Sequence, residues 1–392
     1  MIYLYNAATT PVRQEVVEAM IPYFTDKWYN PSSLYSKSKA VKEDIEKARK
    51  TIADFINAKN NEIYFTSGGS EANSWAIQGF ANNSPLIVLT SNLEHHSIIA
   101  CCENNRYIIL KKINVNNEGF IDVSHLEYML KECEQKIPPI LVTIQLANNE
   151  IGTIQDIKNI SNLVHKYNGF IHCDATQAFG HLPIDVKDLN VDMLTASGHK
   201  IGAPKGIGFL YIKDGIDIKP IVYGTQERNK RGGTENVPYI IGLAKAVECC
   251  DISLESRETQ LKIRNYFIRC LCILGCKING SDIYKLPNNI NVTFPHNITG
   301  EALIYLLDTA GIYISSGSAC NTYTNQPSHV LQAIGLSESE IMRTIRITLP
   351  DISNYDNSLI SYDEVYEETV KQIDTFISEV NKALALFGDN NA

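Results

Sequence analysis

The sequence predicts an α/β protein with a large first domain and a smaller second one. Three observations carry this. Short apolar runs that read as strands alternate with helical segments from about Glu62 to Ile212. Several of those runs end in small or polar residues, where open α/β sheets place their ligand contacts. A mainly helical stretch, about Pro238 to Cys272, then leads into a second group of strands and helices, and a chain of 392 residues has room for both domains.

Asn6-Ala7-Ala8-Thr9-Thr10-Pro11 forms a small-residue arm, and Pro11 suits the start of a first helix. From Lys39 to Ile56, the apolar residues Val41, Ile45, Ala48, Ile52 and Phe55 recur at helical spacing. A strand at Glu62–Thr66 breaks at Ser67-Gly68-Gly69-Ser70, and a helix follows over about Glu71–Phe80. Strand, Gly/Ser turn and helix point free backbone N–H groups at an anion. No GxGxxG or GxxxxGK[ST] occurs to indicate a dinucleotide or nucleoside triphosphate. Further strands are expected at Pro85–Thr90, Tyr107–Ile113, Ile140–Leu146 and Gly208–Ile212, with a helix at about Val123–Lys136. In the second domain, strands are expected near Ile290–Phe294, Ile312–Ser315 and Ile345–Leu349. Its helices fall near Glu301–Ala310 and Asp363–Leu386.

Lys200 lies just past the apolar run Val191–Ala196, among small residues. A desolvated lysine amine can form a Schiff base with a carbonyl compound, and pyridoxal 5'-phosphate (PLP) is the cofactor most often held so. A surface lysine in a Gly/Pro loop would look the same. Asp174 favours the first reading, because it closes another apolar strand upstream and is the kind of carboxylate that pairs with a pyridinium nitrogen. His95 follows a strand, where it could stack on a ring cofactor or simply sit in a solvated loop. Arg231-Gly232-Gly233-Thr234 reads either as a phosphate cap or as a basic loop. Cys320 sits in Ser315-Ser316-Gly317-Ser318-Ala319-Cys320-Asn321, where an exposed thiol could reach a bound substrate.

Charge and composition exclude other classes. A net charge of −9 argues against bulk attraction to nucleic acid or an anionic membrane. No apolar run is long enough to span a bilayer, and the start lacks the regions of a secretion signal. The ten cysteines form no compact disulfide framework, so a cytoplasmic, thiol-reducing setting is expected. Cys270, Cys272 and Cys276 lack zinc-ligand spacing and read as buried thiols near a helix end, so no metal is expected.

Taken together, these motifs resemble the cysteine desulfurases (NifS/IscS-like) of the class V, PLP-dependent aminotransferase superfamily. The resemblance runs from Ile2 to about Leu349. It rests on Asn6-Ala-Ala-Thr-Thr-Pro11, Thr66-Ser-Gly-Gly-Ser-Glu71, Glu94-His95, Asn148-Asn-Glu-Ile-Gly152, Asp174-Ala-Thr-Gln177, Ser197-Gly-His-Lys200 and Ser315-Ser-Gly-Ser-Ala-Cys320. It implies the PLP-dependent fold type I, with a mainly parallel central sheet flanked by helices in residues 14–254. Residues 1–13 and 255–392 would form a small α+β domain carrying the cysteine loop.

The resemblance also implies roles. Lys200 holds PLP as a Schiff base and moves the substrate Cα proton; Asp174 pairs with the ring nitrogen; His95 stacks on the ring and handles the substrate thiol proton. Gln177 bonds the ring's phenolic oxygen, and Asn149 contacts ring and substrate. Gly69, Ser70, Ser197 and His199 take the phosphate, joined by Thr234 from the other subunit of a homodimer. Arg346 clamps the carboxylate of L-cysteine, and Cys320 takes its sulfur as a persulfide, leaving L-alanine. The persulfide passes to an acceptor protein, an iron–sulfur scaffold or a tRNA-thiolation protein among the options. Selenocysteine lyase, or another class V PLP-dependent enzyme, is the alternative. Three positions depart from the family pattern: Tyr5, Pro350-Asp351, and a short polar C-terminus over Gly388–Ala392.

Overall fold

A computed structural model describes residues 1–133, 138–295, 298–316, 327–352 and 360–388. Cys320 and most of its loop, the end of the helix expected to reach Lys136, and the tail past Gly388 lie outside them.

The strands in chain order are β1 (Ile2–Tyr3), β2 (Ile63–Thr66), β3 (Leu86–Ser91), β4 (Ile108–Ile113), β5 (Ile140–Gln145), β6 (Phe170–Asp174) and β7 (Met193–Ser197). They continue with β8 (Gly208–Ile212), β9 (Lys277–Asn279), β10 (Asn289–Thr293), β11 (Ile312–Tyr313), β12 (Ser315–Ser316) and β13 (Thr344–Thr348). Seven of them form the main sheet in the order β2-β8-β7-β6-β5-β3-β4. The run from β4 to β7 is parallel, and β8 pairs antiparallel with both β7 and β2.

Helices cover both faces, which is why β3, β5, β7 and β8 are buried throughout and read as unbroken apolar runs. Side chains alternate between the faces. Ile87 and Leu89 enter one core with Val41, Ile45 and Ile52 of the helix Ser36–Phe55 and with Ile240 and Leu243 of the helix Val237–Glu248. Leu86 and Val88 enter the other, with Trp75 and Ile77 of the helix Gly69–Ala81 and Ile98 of the helix His96–Glu103.

A separate core gathers Leu4, Phe267, Ile290, Val292, Ile345, Ile347 and Phe376. It lies on an antiparallel sheet of order β12-β13-β10-β9. β1 pairs in parallel with β11, so the first residues of the chain pack with its last third. The expected strand at Ile312–Ser315 is divided at Ile314, because β11 pairs with β1 whereas β12 pairs with β13. The expected helical stretch after Pro238 is two helices, and the Ser253 side chain caps the second, Leu254–Ile273. β9 is too short and polar to show an alternation. Cys276 is buried as expected, but Cys272 is exposed on the last turn of its helix.

Two buried acidic groups fix loops around the site. Glu227 grips Arg49 through two bonds of 2.8 Å and accepts from the Phe65 N–H at 3.0 Å, tying the 224–237 loop to β2. That contact holds Glu227, Arg228 and Asn229 at positive φ (46°, 57° and 65°), a conformation costing about 1–2 kcal/mol per side-chain-bearing residue. Glu94 is wholly buried; it accepts from Ser91 Oγ at 2.7 Å and from the Gln145 N–H at 2.8 Å, joining the ends of β3 and β5. Burial, aided by the charge of Asp174, pushes its carboxyl up to about 8 despite the Ser91 bond.

Glu227→Ala leaves the buried Arg49 charge with the peripheral Glu46 and the Ile63 carbonyl, so a loss of about 3 kcal/mol is expected in urea unfolding. The Arg49→Met, Glu227→Leu double variant is expected to lose less than that single one. Glu94 holds a proton in the folded state that the unfolded chain releases near pH 4.5, so its contribution is complete below that value. It is lost as pH rises through about 8. Stability measured from pH 5 to pH 8 should therefore fall less steeply in Glu94→Gln than in the wild type.

Candidate active site

Parallel strands deliver their C-terminal residues to one edge of a sheet, and a cavity of about 290 Å³ opens there. Asp174 arrives from β6, Ser197 from β7 and Gln145 from β5, while His95 lies just past β3. Arg346 enters from β13, and Tyr5, Ala7 and Ala8 enter from the N-terminal arm.

Asp174 is 6% exposed at the floor. Its Oδ1 accepts from the Thr176 N–H at 2.9 Å and its Oδ2 from Asn73 Nδ2 at 2.8 Å. An ionised carboxylate so buried needs such donors. The same Asn73 amide donates to Ser97 Oγ at 2.9 Å. His95 caps the helix His96–Glu103: its Nδ1 accepts from the Ser97 N–H at 3.1 Å and meets Ser97 Oγ at 2.8 Å. Burial first, then the cation of Lys200, lowers the basicity of His95, although Asp174 opposes this.

Lys200 closes a 3-10 turn, Gly198–Lys200, that follows β7 directly. The turn needs glycine at 198, since a Cβ there would lie 2.9 Å from Ala203 Cβ and 3.0 Å from Ile207 Cγ2. Lys200 Nζ donates to the carbonyls of Ala7 (2.6 Å) and Ala8 (2.8 Å), which makes the arm part of the site. His199 Nδ1 lies 3.3 Å from Thr9 Oγ1, and burial with the nearby Lys200 and Lys205 cations lowers its pKa to about 4. His199 therefore offers neutral N–H chemistry near neutral pH.

Gly69 and Ser70 open the helix Gly69–Ala81, whose N-terminus no side chain caps. The helix begins earlier than Glu71, where the sequence places it, so both residues belong to its first turn. A Cβ at 69 would come within 3.0 Å of Thr176 Oγ1, so glycine lets this N-terminus approach the floor. Uncapped N–H groups at that place suit a phosphate.

Arg346 is 2% exposed. Its Nη1 donates to the Asn149 carbonyl at 3.0 Å, and its guanidinium lies 5.7 Å from the Tyr5 ring centroid. Tyr5, a departure from the family pattern, thus faces the arginine with an aromatic ring. The second departure, Asp351, pairs with His181 at 2.7 Å. Gln177 lines the cavity and donates to the Ala7 carbonyl at 3.0 Å.

Gly69, Ser70, His95, Asn149, Asp174, Gln177, Ser197, His199, Lys200 and Arg346 are therefore brought together as the sequence reading expects. Thr234 is not: it is exposed and absent from the cavity lining of its own chain. Arg231 is held by Glu71 at 2.8 Å rather than aimed into the cavity. Cys320 lies outside the described residues; its loop leaves from β12, where Ser315 pairs with Arg346.

Sequence reasoning missed Asn73, Ser97, Thr176, Gln145 and the carbonyls of Ala7 and Ala8. A signal existed for the first two. Asn73 is one helical turn beyond Ser70 on the same face, and Ser97 stands at a helix start, where hydroxyl residues bond the nearby backbone and side chains.

The class-V aminotransferase family model matches residues 2–354. A cysteine desulfurase IscS of Methanosarcina thermophila is 45% identical over 356 residues, 89% of this chain and 87% of that protein. Among solved structures, a NifS-like protein from Rickettsia africae superposes with a TM-score of 0.83 at 32% identity, covering 98% of this chain and 99% of the other. A structure described as SspA in complex with cysteine gives 0.78 at 36% identity, covering 90% of this chain and 99% of that one. The chain belongs to the class-V aminotransferase family, in its cysteine desulfurase branch.

Proposed function

We propose that this protein is a PLP-dependent cysteine desulfurase that moves the sulfur of L-cysteine onto Cys320 and releases L-alanine. The observation that carries this is one cavity in which a buried carboxylate, a lysine amine and a buried guanidinium converge: Asp174, Lys200 and Arg346. The donor set fits the cofactor. Asp174 suits a pyridinium N–H, while the Gly69–Ser70 N-terminus, Ser197 and His199 suit a phosphate.

When bound, PLP supplies a covalent hold on the substrate amine and an electron sink for the pair left at Cα. Lys200 would hold the cofactor through its side-chain amine, and that amine, when free, would take the Cα proton. Arg346 fixes the substrate carboxylate with a planar fork. The Cys320 thiolate attacks the substrate sulfur; the S–S bond forms as the C–S bond breaks, and that electron pair takes a proton at Cβ. Residues 14–254 would carry the cofactor, and 1–13 with 255–392 the thiol. Thr234, facing away from its own cavity, would serve the neighbouring site of a homodimer. An acceptor protein would take the persulfide; an iron–sulfur scaffold or tRNA-thiolation protein fits that chemistry.

Wild-type protein given L-cysteine and a thiol reductant should release alanine and sulfide in equal amounts. Cys320→Ser should lose sulfide release while its bound-cofactor absorbance persists; bound cofactor without alanine in the wild type would refute the proposal. Arg346→Lys keeps the charge but loses the fork, so KM for L-cysteine is expected to rise about tenfold or more. An unchanged KM in steady-state assays would remove Arg346 from substrate binding.

A further inference from the structure

We infer that Gln145 is a cofactor-contacting residue, whose amide oxygen stands beside Asp174 and favours the protonated form of the PLP ring. The inference rests on the cofactor reading proposed above; the direction of the side chain is read from its hydrogen bonds.

Gln145 closes β5 and Asp174 closes β6. The two are direct partners in the parallel β5–β6 register, so their side chains leave the same face of the sheet side by side. Both line the cavity, and Gln145 is only 4% exposed. Its backbone N–H goes to Glu94 Oε2 at 2.8 Å, and its Nε2 donates to the Leu93 carbonyl at 2.7 Å. A carbonyl only accepts, so the group facing it is the NH₂. Turning the amide over would set two oxygens against each other at that distance. Oε1 is thereby left without a donor among the described residues, and the cavity is the space this side chain lines. A donor or a positive charge bound there is what can meet it.

An amide oxygen fixed in this way turns the negative end of its dipole to the cavity floor. Asp174 brings the carboxylate for a pyridinium N–H to the same place. A ring that carries that proton is cationic, and its C–H groups next to nitrogen are polarised toward an acceptor. Gln145 therefore favours the same state of the ring as Asp174 does, as a dipole beside an ion. Methionine would fill this strand end with a side chain of similar length and no acceptor of that kind. The Leu93 carbonyl would keep a donor in such a variant, because Asn148 Nδ2 also reaches it, at 3.1 Å.

The test is ligand binding to the cofactor-free full-length protein, followed by absorbance in the absence of cysteine. Two ligands are compared: PLP, and its deaza analogue with C–H in place of the ring nitrogen. In Gln145→Met the Kd for PLP should rise about fivefold, while that for the analogue stays within about twofold of wild type. Lost packing, or the lost Leu93 bond, would weaken both ligands equally, and that result overturns the inference. With ¹⁵N-labelled PLP followed by NMR, the ring nitrogen should lose its proton at lower pH in Gln145→Met than in the wild type. A titration that does not move, or moves upward, overturns it as well. A wild type that binds neither ligand overturns the cofactor reading and this inference together. Wild type and Gln145→Met binding PLP equally well overturns the role of Gln145 alone.

Discussion

A carboxylate buried at the end of a central strand, Asp174, sets the terms for the site. Taking an ionised group out of water costs several kcal/mol unless donors replace the water. At Asp174 they are the Asn73 amide and the Thr176 N–H. Supplying the first requires the helix Gly69–Ala81 to run past the end of β6, which carries its uncapped N-terminus into the cavity. The uncapped helix N-terminus at the cavity and the carboxylate's donor thus come from one helix placement. Burial, with help from the nearby Asp174, raises the Glu94 carboxyl to about 8 at the same floor.

The N-terminal arm transmits a second constraint. Leu4 belongs to the core that contains β10 and β13, and Asn6 donates to the Thr348 carbonyl at 3.0 Å. The next residues, Ala7 and Ala8, hold the Lys200 amine, and the Thr10 N–H bonds the His199 carbonyl at 3.0 Å. One short segment, which turns at Asn6–Ala8, therefore sets the distance between the strand bearing Arg346 and the turn bearing Lys200. The Asp351–His181 pair braces the same junction from the other side. The amine and the carboxylate clamp proposed above come from separate cores and need such a strap, because a displacement of an ångström can cost a hundredfold in rate.

The main sheet and the positions of its functional residues were legible because parallel strands buried on both faces are continuous apolar runs. Three of them lead to cavity residues the sequence pointed to: Asp174, Ser197 and, just past β3, His95. The division of the segment at Ile314 was not legible, since two-residue pairings leave no periodic signal. Nor were the roles of Ala7 and Ala8, whose contribution is a backbone carbonyl that any residue would supply. Asn73 was hidden differently, because its position on the helix face was visible but its partners lie on strands and loops distant in sequence. Thr234 stands apart: the resemblance gave it a site role, and within a single chain it faces solvent.

The two ends of the segment that carries Cys320 are both tied to the loops around the cavity. Upstream, Ser315 lies opposite Arg346 in the β12–β13 pairing. Downstream, Ser328 caps the helix His329–Ala333 and bonds the buried carboxyl of Glu150, and His329 Nε2 bonds the Glu94 carbonyl at 3.0 Å. Glu150 adjoins Asn149 and Glu94 adjoins His95, so both loops that line the cavity also anchor the segment. The stems are therefore fixed by the cofactor site itself. Doubling the length of chain between fixed stems costs only about 0.6 kcal/mol in closure entropy. The segment between these stems can thus vary in length while the geometry around Asp174, Lys200 and Arg346 stays the same.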